Sequence, residues 1–359
     1  MMRTILIAAG GTGGHISPGI ALLEQLSRSK ESYNLESVYL HCPLRNKKYP
    51  DLNDSEFKII WHNLPQFKIL NSLLYPFLFL FQFLKASILF KKKKITTVIG
   101  MGGYTSVLAL MYAVVFRKEL FLCEQNCIPG KITRIFWNYA NKIALSFPVE
   151  FHTNSKVKTA ILGNPVRSSV IPKTPGIKNQ KFSNKNLMNV LVLGGSQGAR
   201  QINEMVIAAM NEGFIQKHIK FRVLTGANLY DEFQKNSAEV EAISYSKDMR
   251  THYEWADLVV ARSGAGVLAE CSVYSLPMIL IPYPYAKDNH QMANAKFFES
   301  QGACILIDSK SSDATFLVQH LQSLYQEEGK LLLMSIASLQ TSKINSSSDT
   351  LNFFFHNNE

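Results

Sequence analysis

The sequence contains two apolar, strand-like runs that each end in a glycine-rich turn. Residues 5–9 lead into GGTGGH at 10–15, and residues 190–193 lead into GGSQGA at 194–199. Glycine lets the backbone approach a ligand closely, and the helix that follows directs free N–H groups at it, so each run predicts an anion-binding loop. The two loops lie about half the chain apart, which predicts a duplicated α/β architecture with one phosphate site in each half.

Composition limits the class of protein. The chain has 359 residues, of which 47% are hydrophobic and 18% charged, as is typical of two globular domains. The formal charge of +11 indicates either an anionic partner or a generally basic proteome. Nucleic acid is not expected as a partner, because zinc-finger spacing and aromatic RNA-binding signatures are both absent. Five cysteines without CxxC spacing, and a start that runs directly into a strand, predict a reduced cytoplasmic protein without a signal peptide.

Strands and helices alternate along both halves of the chain. Such alternation predicts parallel sheets with ligands at the carboxyl ends of the strands. The Asn-Pro step within residues 163–167 predicts the boundary between an N-terminal domain, 1–163, and a C-terminal domain, 164–340. In the remaining segment, 341–359, serines predict a loop before a short Phe-rich segment that packs back on the first domain. Further predicted strands are 37–40, 58–61, 97–99, 120–122, 143–145, 221–224, 242–245, 258–261, 278–281 and 303–307.

Residues 73–84 are almost entirely apolar and are followed closely by four lysines at 91–94. The run is shorter than the roughly 20 residues that span a bilayer. It predicts either a buried core helix or a helix in the membrane interface, with the lysines on anionic headgroups. The phenylalanines on successive turns and the adjacent lysines favour the interfacial helix.

Four polar residues follow predicted strands. His15, beside the first loop, is suited to bind an anion, to act as a base or to cap its helix. Glu270 lies on the second turn of a helix that follows a small-residue turn, where it either accepts ribose hydroxyls or is a solvated surface carboxylate. Gln291 and Asn294 share one helix face, which suits either sugar hydroxyls or helix capping.

Two kinds of cofactor are not expected. The first loop lacks GxGxxG spacing and no acidic residue closes the second strand, which argues against a nicotinamide cofactor. The chain contains no Asp-x-Asp pair, so no metal site is predicted. Without a metal ion, helix N-termini, backbone N–H groups and a basic side chain would stabilise the negative charge of a diphosphate leaving group.

Seven motifs follow one another along the chain: GGTGGH (10–15), GMGGY (100–104), EQN (124–126), GNPVR (163–167), GGSQGA (194–199), RSGA (262–265) with Glu270, and the pair Gln291 and Asn294. Together they resemble the MurG family of UDP-N-acetylglucosamine transferases, which have the GT-B fold and convert lipid I to lipid II in peptidoglycan synthesis. The order and spacing of the motifs match over nearly the whole chain, and this conjunction is far more specific than any single motif. The resemblance implies two Rossmann-like, doubly wound parallel-sheet domains that face a cleft.

The resemblance also implies roles for individual residues. The second domain would hold the UDP-GlcNAc donor, with Glu270 on the ribose. The first domain would face the acceptor diphosphate and the transferred sugar. His15 would be the base of an inverting displacement by the muramyl 4-hydroxyl of undecaprenyl-diphosphate-MurNAc-pentapeptide, lipid I. The implied substrate-binding residues are Thr12, Gly13, Gly14, Asn126, Arg167, Ser196, Met249, Ala265, Glu270, Gln291 and Asn294.

Two positions depart from the family pattern. Cys123 stands where the family commonly has a histidine before EQN, and Ser246 replaces an apolar uracil contact shortly before Met249. The first departure leaves His15 as the better candidate for the base.

The resemblance implies no cofactor and a peripheral position on the cytoplasmic face of the inner membrane, where other cell-wall synthesis proteins would be partners. Peptidoglycan synthesis links such an enzyme to cell shape and division. Three alternatives share the fold: a UDP-GlcNAc 2-epimerase, a transferase that adds sugar to diacylglycerol, and a non-catalytic scaffold that binds UDP-sugars.

Overall fold

The chain forms two compact units, each built around one parallel sheet. The computed structural model describes residues 2–53, 57–64, 74–149, 151, 156–177, 187–194, 198–236, 240–309 and 313–356. Unit 1 comprises Met1–Ser168 and Asn345–Glu359, and unit 2 comprises Ser169–Ile344. Ser168, at the end of the first stretch of unit 1, donates from its N–H and its hydroxyl to Glu24 Oε2 of the same unit, at 3.1 and 2.8 Å.

Unit 1 contains a seven-stranded sheet in the order β3-β2-β1-β4-β5-β6-β7, with all neighbours parallel. Its last strand was not predicted, because three of its four residues are exposed and it has no apolar pattern. The strands are β1 (Arg3–Ala8), β2 (Leu35–Pro43), β3 (Ile59–His62), β4 (Thr97–Gly100), β5 (Glu119–Glu124), β6 (Lys142–Leu145) and β7 (Lys158–Ile161).

Helices cover both faces of this sheet. Ile5 and Ile7 belong to one core cluster, whereas Leu6 and Ala8 belong to another, as expected when side chains alternate along a strand buried on both faces. The helices are α1 (Gly13–Arg28), α2 (Pro50–Asn53), α3 (Tyr75–Lys92), α4 (Val107–Val115) and α5 (Lys131–Phe136).

The apolar segment predicted at 73–94 forms α3, although Leu73 itself lies outside the described residues. One face is buried on the core through Phe83, Ala86 and Phe90. The opposite face exposes large apolar side chains, with Phe77 72% and Ile88 70% exposed. Among the described helices, α3 included, none is long and apolar enough to cross a membrane.

Unit 2 contains a six-stranded sheet in the order β10-β9-β8-β11-β12-β13, again parallel throughout. The strands are β8 (Met188–Leu193), β9 (Ile219–Leu224), β10 (Glu241–Ile243), β11 (Leu258–Ala261), β12 (Met278–Leu280) and β13 (Cys304–Leu306). The helices are α6 (Arg200–Ala209), α7 (Gly213–His218), α8 (Tyr230–Asn236), α9 (Met249–Trp255), α10 (Ala265–Val273), α11 (His290–Ser300), α12 (Ala314–Gln326) and α13 (Glu328–Thr341).

The C-terminal helix α14 (Ser346–Phe355) packs on unit 1. Leu351 and Phe354 enter the core, where the Phe354 ring stacks on Phe121 with centroids 4.6 Å apart. Burial of each of these side chains stabilises the packed helix by about 1.5–3 kcal/mol. The serines at 346–348, which the sequence predicted as a loop, form its first turn, because the Ser346 hydroxyl donates to the Asn164 carbonyl at 3.0 Å in the interior.

Two histidines stack inside unit 1 at the ends of neighbouring strands. The rings of His41 and His62 have centroids 4.1 Å apart, and the side chains are 1% and 8% exposed. Burial, with the charge of Arg45 nearby, lowers the pKa of His62 to about 4. Burial and the neighbouring His62 likewise lower the pKa of His41. Both imidazoles are therefore neutral in the folded protein.

We predict that this pair makes unit 1 acid-sensitive. The unfolded chain binds these protons below pH 6.5 and the folded protein does not, so stability is lost as the pH falls from 6.5 towards 4. His62 alone should contribute up to about 3 kcal/mol to that loss. Urea unfolding followed by tryptophan fluorescence should show a flatter pH dependence for His62→Leu than for wild type. An exposed-histidine control, His356→Leu, should keep the wild-type slope, and equal slopes for all three proteins would contradict the prediction.

Candidate functional site

The first candidate site lies at the carboxyl edge of the unit 1 sheet. There β1 has β2 on one side and β4 on the other, so the chain order reverses at β1 and the loops after β1 and β4 lie side by side. Gly102 and Gly103 have φ values of +81° and +77°. A Cβ on Gly102 would lie 3.2 Å from the His15 ring, and one on Gly103 would lie 3.1 Å from the Gly10 carbonyl oxygen. These glycines are required for the close approach of the two loops.

The residues predicted in the first glycine loop form the start of α1. Thr12 is the extended N-cap residue, with Gly13, Gly14 and His15 as the first turn. Thr12 Oγ1 and His15 Nδ1 lie 3.1 Å apart, so the hydroxyl orients the imidazole. His15 does not simply cap its helix, since its ring lies over Gly102 and Gly103 of the neighbouring loop.

Asn126 is held by a buried carboxylate in the loop after β5. Glu124 accepts hydrogen bonds from the Asn126 N–H at 3.1 Å, the Asn126 side-chain amide at 3.4 Å and the Gly130 N–H at 3.0 Å. Burial raises the pKa of Glu124, while the hydrogen bonds from Thr133, Asn126 and Gly130 oppose that rise. Sequence reasoning noted the EQN motif, but the contribution of Glu124 to the shape of the loop became apparent only in the structure.

Cys123 belongs to the core instead of the site. Its side chain is 3% exposed and packs in the cluster that contains Phe121 and Phe354. Burial and the adjacent Glu124 raise the thiol pKa, so Cys123 behaves as a small apolar residue.

Arg167 lies in unit 1 between two carboxylates. Its Nη1 is 2.8 Å from Asp51 Oδ1, and its Nε is 3.4 Å from Glu24 Oε1. These ion pairs were not predicted, since Glu24 and Asp51 are far from Arg167 in sequence. A ligand phosphate would have to compete with both carboxylates for this guanidinium.

The second candidate site lies at the carboxyl edge of the unit 2 sheet, where the strand order reverses at β8. A Cβ on Gly194 would lie 2.5 Å from the Ala199 backbone nitrogen, so only glycine fits where β8 ends. The predicted donor contact Ser196 lies outside the described residues. Beyond β11, Gly264 is the N-cap of α10 and Ala265 is its first residue. A Cβ on Gly264 or Gly266 would meet no atom within 4 Å in the described part of the chain.

Glu270 is oriented by a tyrosine that sequence reasoning missed. Tyr253, on α9, donates from its hydroxyl to Glu270 Oε2 at 2.7 Å. Burial and this carboxylate raise the pKa of Tyr253, which keeps the hydroxyl protonated as a donor. Met249 is the half-buried first residue of the same α9, whose N-cap Asp248 accepts from the Thr251 N–H at 3.3 Å.

Ser263 links α10 to the helix that carries Gln291 and Asn294. The Ser263 hydroxyl donates to the Gln291 carbonyl at 2.7 Å, and the Asn294 amide donates to the Ser263 carbonyl at 3.1 Å. Gln291 Oε1 accepts from the Tyr283 N–H at 2.8 Å. Asn294 is fully buried, whereas Gln291 is half-buried.

Arg262 forms three hydrogen bonds at the carboxyl edge of the unit 2 sheet. Its guanidinium donates to the carbonyls of Ile281 and Pro282 at 2.9 and 3.1 Å and to Gln201 Oε1 at 3.2 Å. These bonds fix the loop between β12 and α11. Within the described ranges, no group of three or more His, Cys, Asp or Glu side chains could hold a metal ion.

Glycines and a helix N-terminus beside the switch point of each parallel sheet suit a phosphorylated ligand at each edge. The class of protein is shown by family models: the glycosyltransferase family 28 N-terminal domain matches residues 5–145, and the family 28 C-terminal domain matches residues 189–351. The predicted fold of two doubly wound parallel-sheet domains is confirmed.

Full-length relatives narrow the family. The chain is 49% identical, over 99% of both chains, to a UDP-N-acetylglucosamine–N-acetylmuramyl-(pentapeptide) pyrophosphoryl-undecaprenol N-acetylglucosamine transferase of Leptospira interrogans. It is 34% identical to the protein of the same name from Coxiella burnetii over 93% of both chains. The crystal structure of Acinetobacter baumannii MurG has a TM-score of 0.78 at 22% identity and 99% coverage of both chains. The chain belongs to the MurG family of glycosyltransferases, which confirms the resemblance read from its motifs.

We predict that Glu124→Gln loosens the loop that carries Asn126. The replacement puts an NH₂ group where a carboxylate oxygen accepts N–H donors, leaving buried donors unsatisfied at a cost of about 1–3 kcal/mol. Hydrogen exchange at the Asn126 and Gly130 amides should accelerate accordingly. Glu31→Gln, at an exposed glutamate of the same unit, is the control and should leave these amides unchanged. Wild-type exchange in Glu124→Gln would refute this role.

Proposed function

We propose that the protein transfers GlcNAc from UDP-GlcNAc to the muramyl 4-hydroxyl of undecaprenyl-diphosphate-linked MurNAc-pentapeptide, with inversion at the anomeric carbon. The relatives that match over the full length are named for this transfer. The observation that supports it best is the start of α10. Gly264 and Gly266 leave its first turn open, and Glu270 follows on the second turn, held by Tyr253.

Unit 2 is the proposed donor-binding unit. The N-terminus of α10, with Ala265, would bind the diphosphate, because its free N–H groups and the positive end of the helix dipole favour an anion. Glu270 would accept the ribose hydroxyls, Met249 would contact the uracil, and Gln291 would bind the GlcNAc hydroxyls. We assign Asn294 a positioning role, since its buried amide holds the Ser263 carbonyl. Ser196 remains a proposed contact.

Unit 1 would supply the base and the acceptor contacts. Thr12, Gly13 and Gly14 form the start of α1, and Asn126 lies in the loop shaped by Glu124. Arg167 would reach UDP only by exchanging part of its ion pairs with Glu24 and Asp51 for phosphate oxygens.

The proposed reaction is a direct displacement. With the Nδ1–H of His15 donating to Thr12 Oγ1, Nε2 holds the lone pair that accepts the proton of the muramyl 4-hydroxyl. The oxygen of that hydroxyl forms the bond to the anomeric carbon, and the bond to the UDP oxygen breaks, with the electron pair leaving on UDP. Helix N-termini and backbone N–H groups would stabilise the charge that develops on UDP.

We predict that His15→Ala lowers kcat by about 100- to 10,000-fold, because it removes the general base. The affinity for UDP-GlcNAc, measured by calorimetry, should stay within about twofold of wild type. Thr12→Val should give a smaller loss, since it removes only the group that orients the ring. His356→Ala, at an exposed imidazole of the same unit, is the matched control. Unchanged turnover in His15→Ala would exclude His15 as the base.

We also propose that the exposed face of α3 holds the protein peripherally on the cytoplasmic face of the inner membrane. Phe77, Phe81, Leu84 and Ile88 recur at helical spacing and are 52–72% exposed. Lysines 91–94 follow directly and are exposed as well. An apolar stripe beside a basic cluster suits an interface of acyl chains and anionic headgroups.

We predict that Phe77→Ser with Phe81→Ser weakens binding to phosphatidylglycerol vesicles at least about tenfold, because two apolar anchors are lost. Vesicle co-sedimentation at low and high salt measures this effect, and high salt should weaken the remaining binding. Phe316→Ser with Leu333→Ser, two exposed apolar residues of unit 2, is the control and should bind as wild type does. Equal losses in both double variants would contradict a specific α3 surface.

Transfer of labelled GlcNAc from UDP-GlcNAc to a lipid I analogue with a short prenyl chain tests the proposed activity. We expect product on this acceptor, with and without chelator, and none on dioleoylglycerol. Transfer to dioleoylglycerol alone would indicate a diacylglycerol glycosyltransferase, and epimerised donor would indicate an epimerase. If the protein binds UDP-GlcNAc but leaves it chemically unchanged, it would be a non-catalytic scaffold.

A further inference from the structure

An arginine outside all of the sequence motifs lies over the first glycine loop. Arg45 is exposed on the short 3-10 helix Leu44–Lys48, which follows β2 at the carboxyl edge of the unit 1 sheet. Its Nη2 lies 3.6 Å from the position that a Cβ would take on Gly11. Within the described ranges, the Arg45 side chain forms no ion pair or hydrogen bond. The described residues therefore leave the donors of its guanidinium to solvent or a ligand.

The 3-10 helix that carries Arg45 is held to the glycine loop by the next residue. Asn46 is 7% exposed, and its Oδ1 accepts the Gly11 N–H at 3.1 Å, which ties the 3-10 helix to the glycine loop. Gly11 has a φ of +94°, so a side chain there would be strained and would fill the space beneath Arg45. The absence of that side chain leaves room for a ligand atom.

A buried hydroxyl borders the same space. Thr105 Oγ1 lies 4.0 Å from the position of a Gly11 Cβ, and its side chain is 3% exposed. This hydroxyl has no hydrogen-bond partner in the part of the chain that the structure describes. An unsatisfied buried hydroxyl costs about 1–3 kcal/mol, and a ligand oxygen over Gly11 would offer it an acceptor.

We propose that Arg45 binds the diphosphate of the prenyl-linked acceptor, with Thr105 donating to the same group. This inference rests on the proposed function and assigns that site a residue that none of the motifs contains. A prenyl diphosphate sugar carries two negative charges, and the planar arginine fork makes two parallel hydrogen bonds to phosphate oxygens. The first turn of α1, at Gly13 and Gly14, adds the positive end of a 16-residue helix on the same loop.

The UDP-GlcNAc donor contains a diphosphate too, so the test must separate the two ligands. Steady-state kinetics with the short-chain lipid I analogue give one KM for the acceptor and one for the donor. We expect Arg45→Ala to raise the acceptor KM roughly 10- to 100-fold, because a charged hydrogen-bonded pair is lost. The donor KM should stay within about twofold of wild type. Arg45→Lys should give an acceptor KM between those of wild type and Arg45→Ala, because lysine keeps the charge but lacks the planar guanidinium fork.

Lys47→Ala is the matched control. Lys47 belongs to the same 3-10 helix and carries the same charge, but its Nζ lies over the Trp61 ring, 5.7 Å from the centroid. The Lys47→Ala variant should keep both the acceptor KM and the donor KM within about twofold of wild type. Thr105→Val should raise the acceptor KM a few-fold without lowering the melting temperature, because it removes a hydroxyl that has no hydrogen-bond partner among the described residues.

Calorimetric binding of the same analogue, without donor, makes the test independent of turnover. A muramyl pentapeptide methyl glycoside, which lacks the diphosphate, should bind wild type and Arg45→Ala equally. Wild-type acceptor affinity in Arg45→Ala, an equal loss in Lys47→Ala, or a raised donor KM alone would overturn the assignment of Arg45 while leaving the transfer activity intact. If wild type binds the acceptor but transfers no GlcNAc, the proposed function is wrong, and the calorimetric affinities of wild type and Arg45→Ala still decide whether Arg45 binds the diphosphate. No acceptor binding by wild type would overturn both.

Discussion

The close approach of the loops after β1 and β4 is the constraint on which the unit 1 site depends. Gly102 and Gly103 adopt left-handed conformations, and their missing side chains admit the His15 ring and the Gly10 carbonyl. A Cβ at either position would separate the loops. The Thr12 hydroxyl can orient His15 over a neighbouring loop only because this edge of the sheet is built from glycine.

The carboxyl edge of the unit 2 sheet is held together by side-chain hydrogen bonds. Ser263 joins the start of α10 to α11, and Arg262 fixes the loop between β12 and α11. Tyr253 fixes the Glu270 carboxylate from α9. Three helices are thus held to one arrangement, which suits the proposed donor site, where several groups of one ligand would be recognised.

Much of the architecture could be predicted from sequence because its signals are local. Apolar runs before glycine turns identified β1 and β8, and helical spacing identified α1. Prediction failed where tertiary contacts decide the outcome. The exposed edge strand β7 has no apolar pattern, and the first turn of α14 depends on Ser346 reaching the Asn164 carbonyl. The ion pairs of Arg167 and the position of Arg45 over Gly11 arise from residues distant in sequence, so no spacing rule could reveal them.

The stereochemistry of the product tests the account most directly. Carbon NMR of the product made from UDP-GlcNAc labelled at the anomeric carbon and the short-chain lipid I analogue would report the linkage. A single displacement with one base predicts a β linkage to the muramyl 4-oxygen, opposite to the α configuration of the donor. An α linkage, or label found only in free GlcNAc or an epimer, would contradict direct inverting transfer.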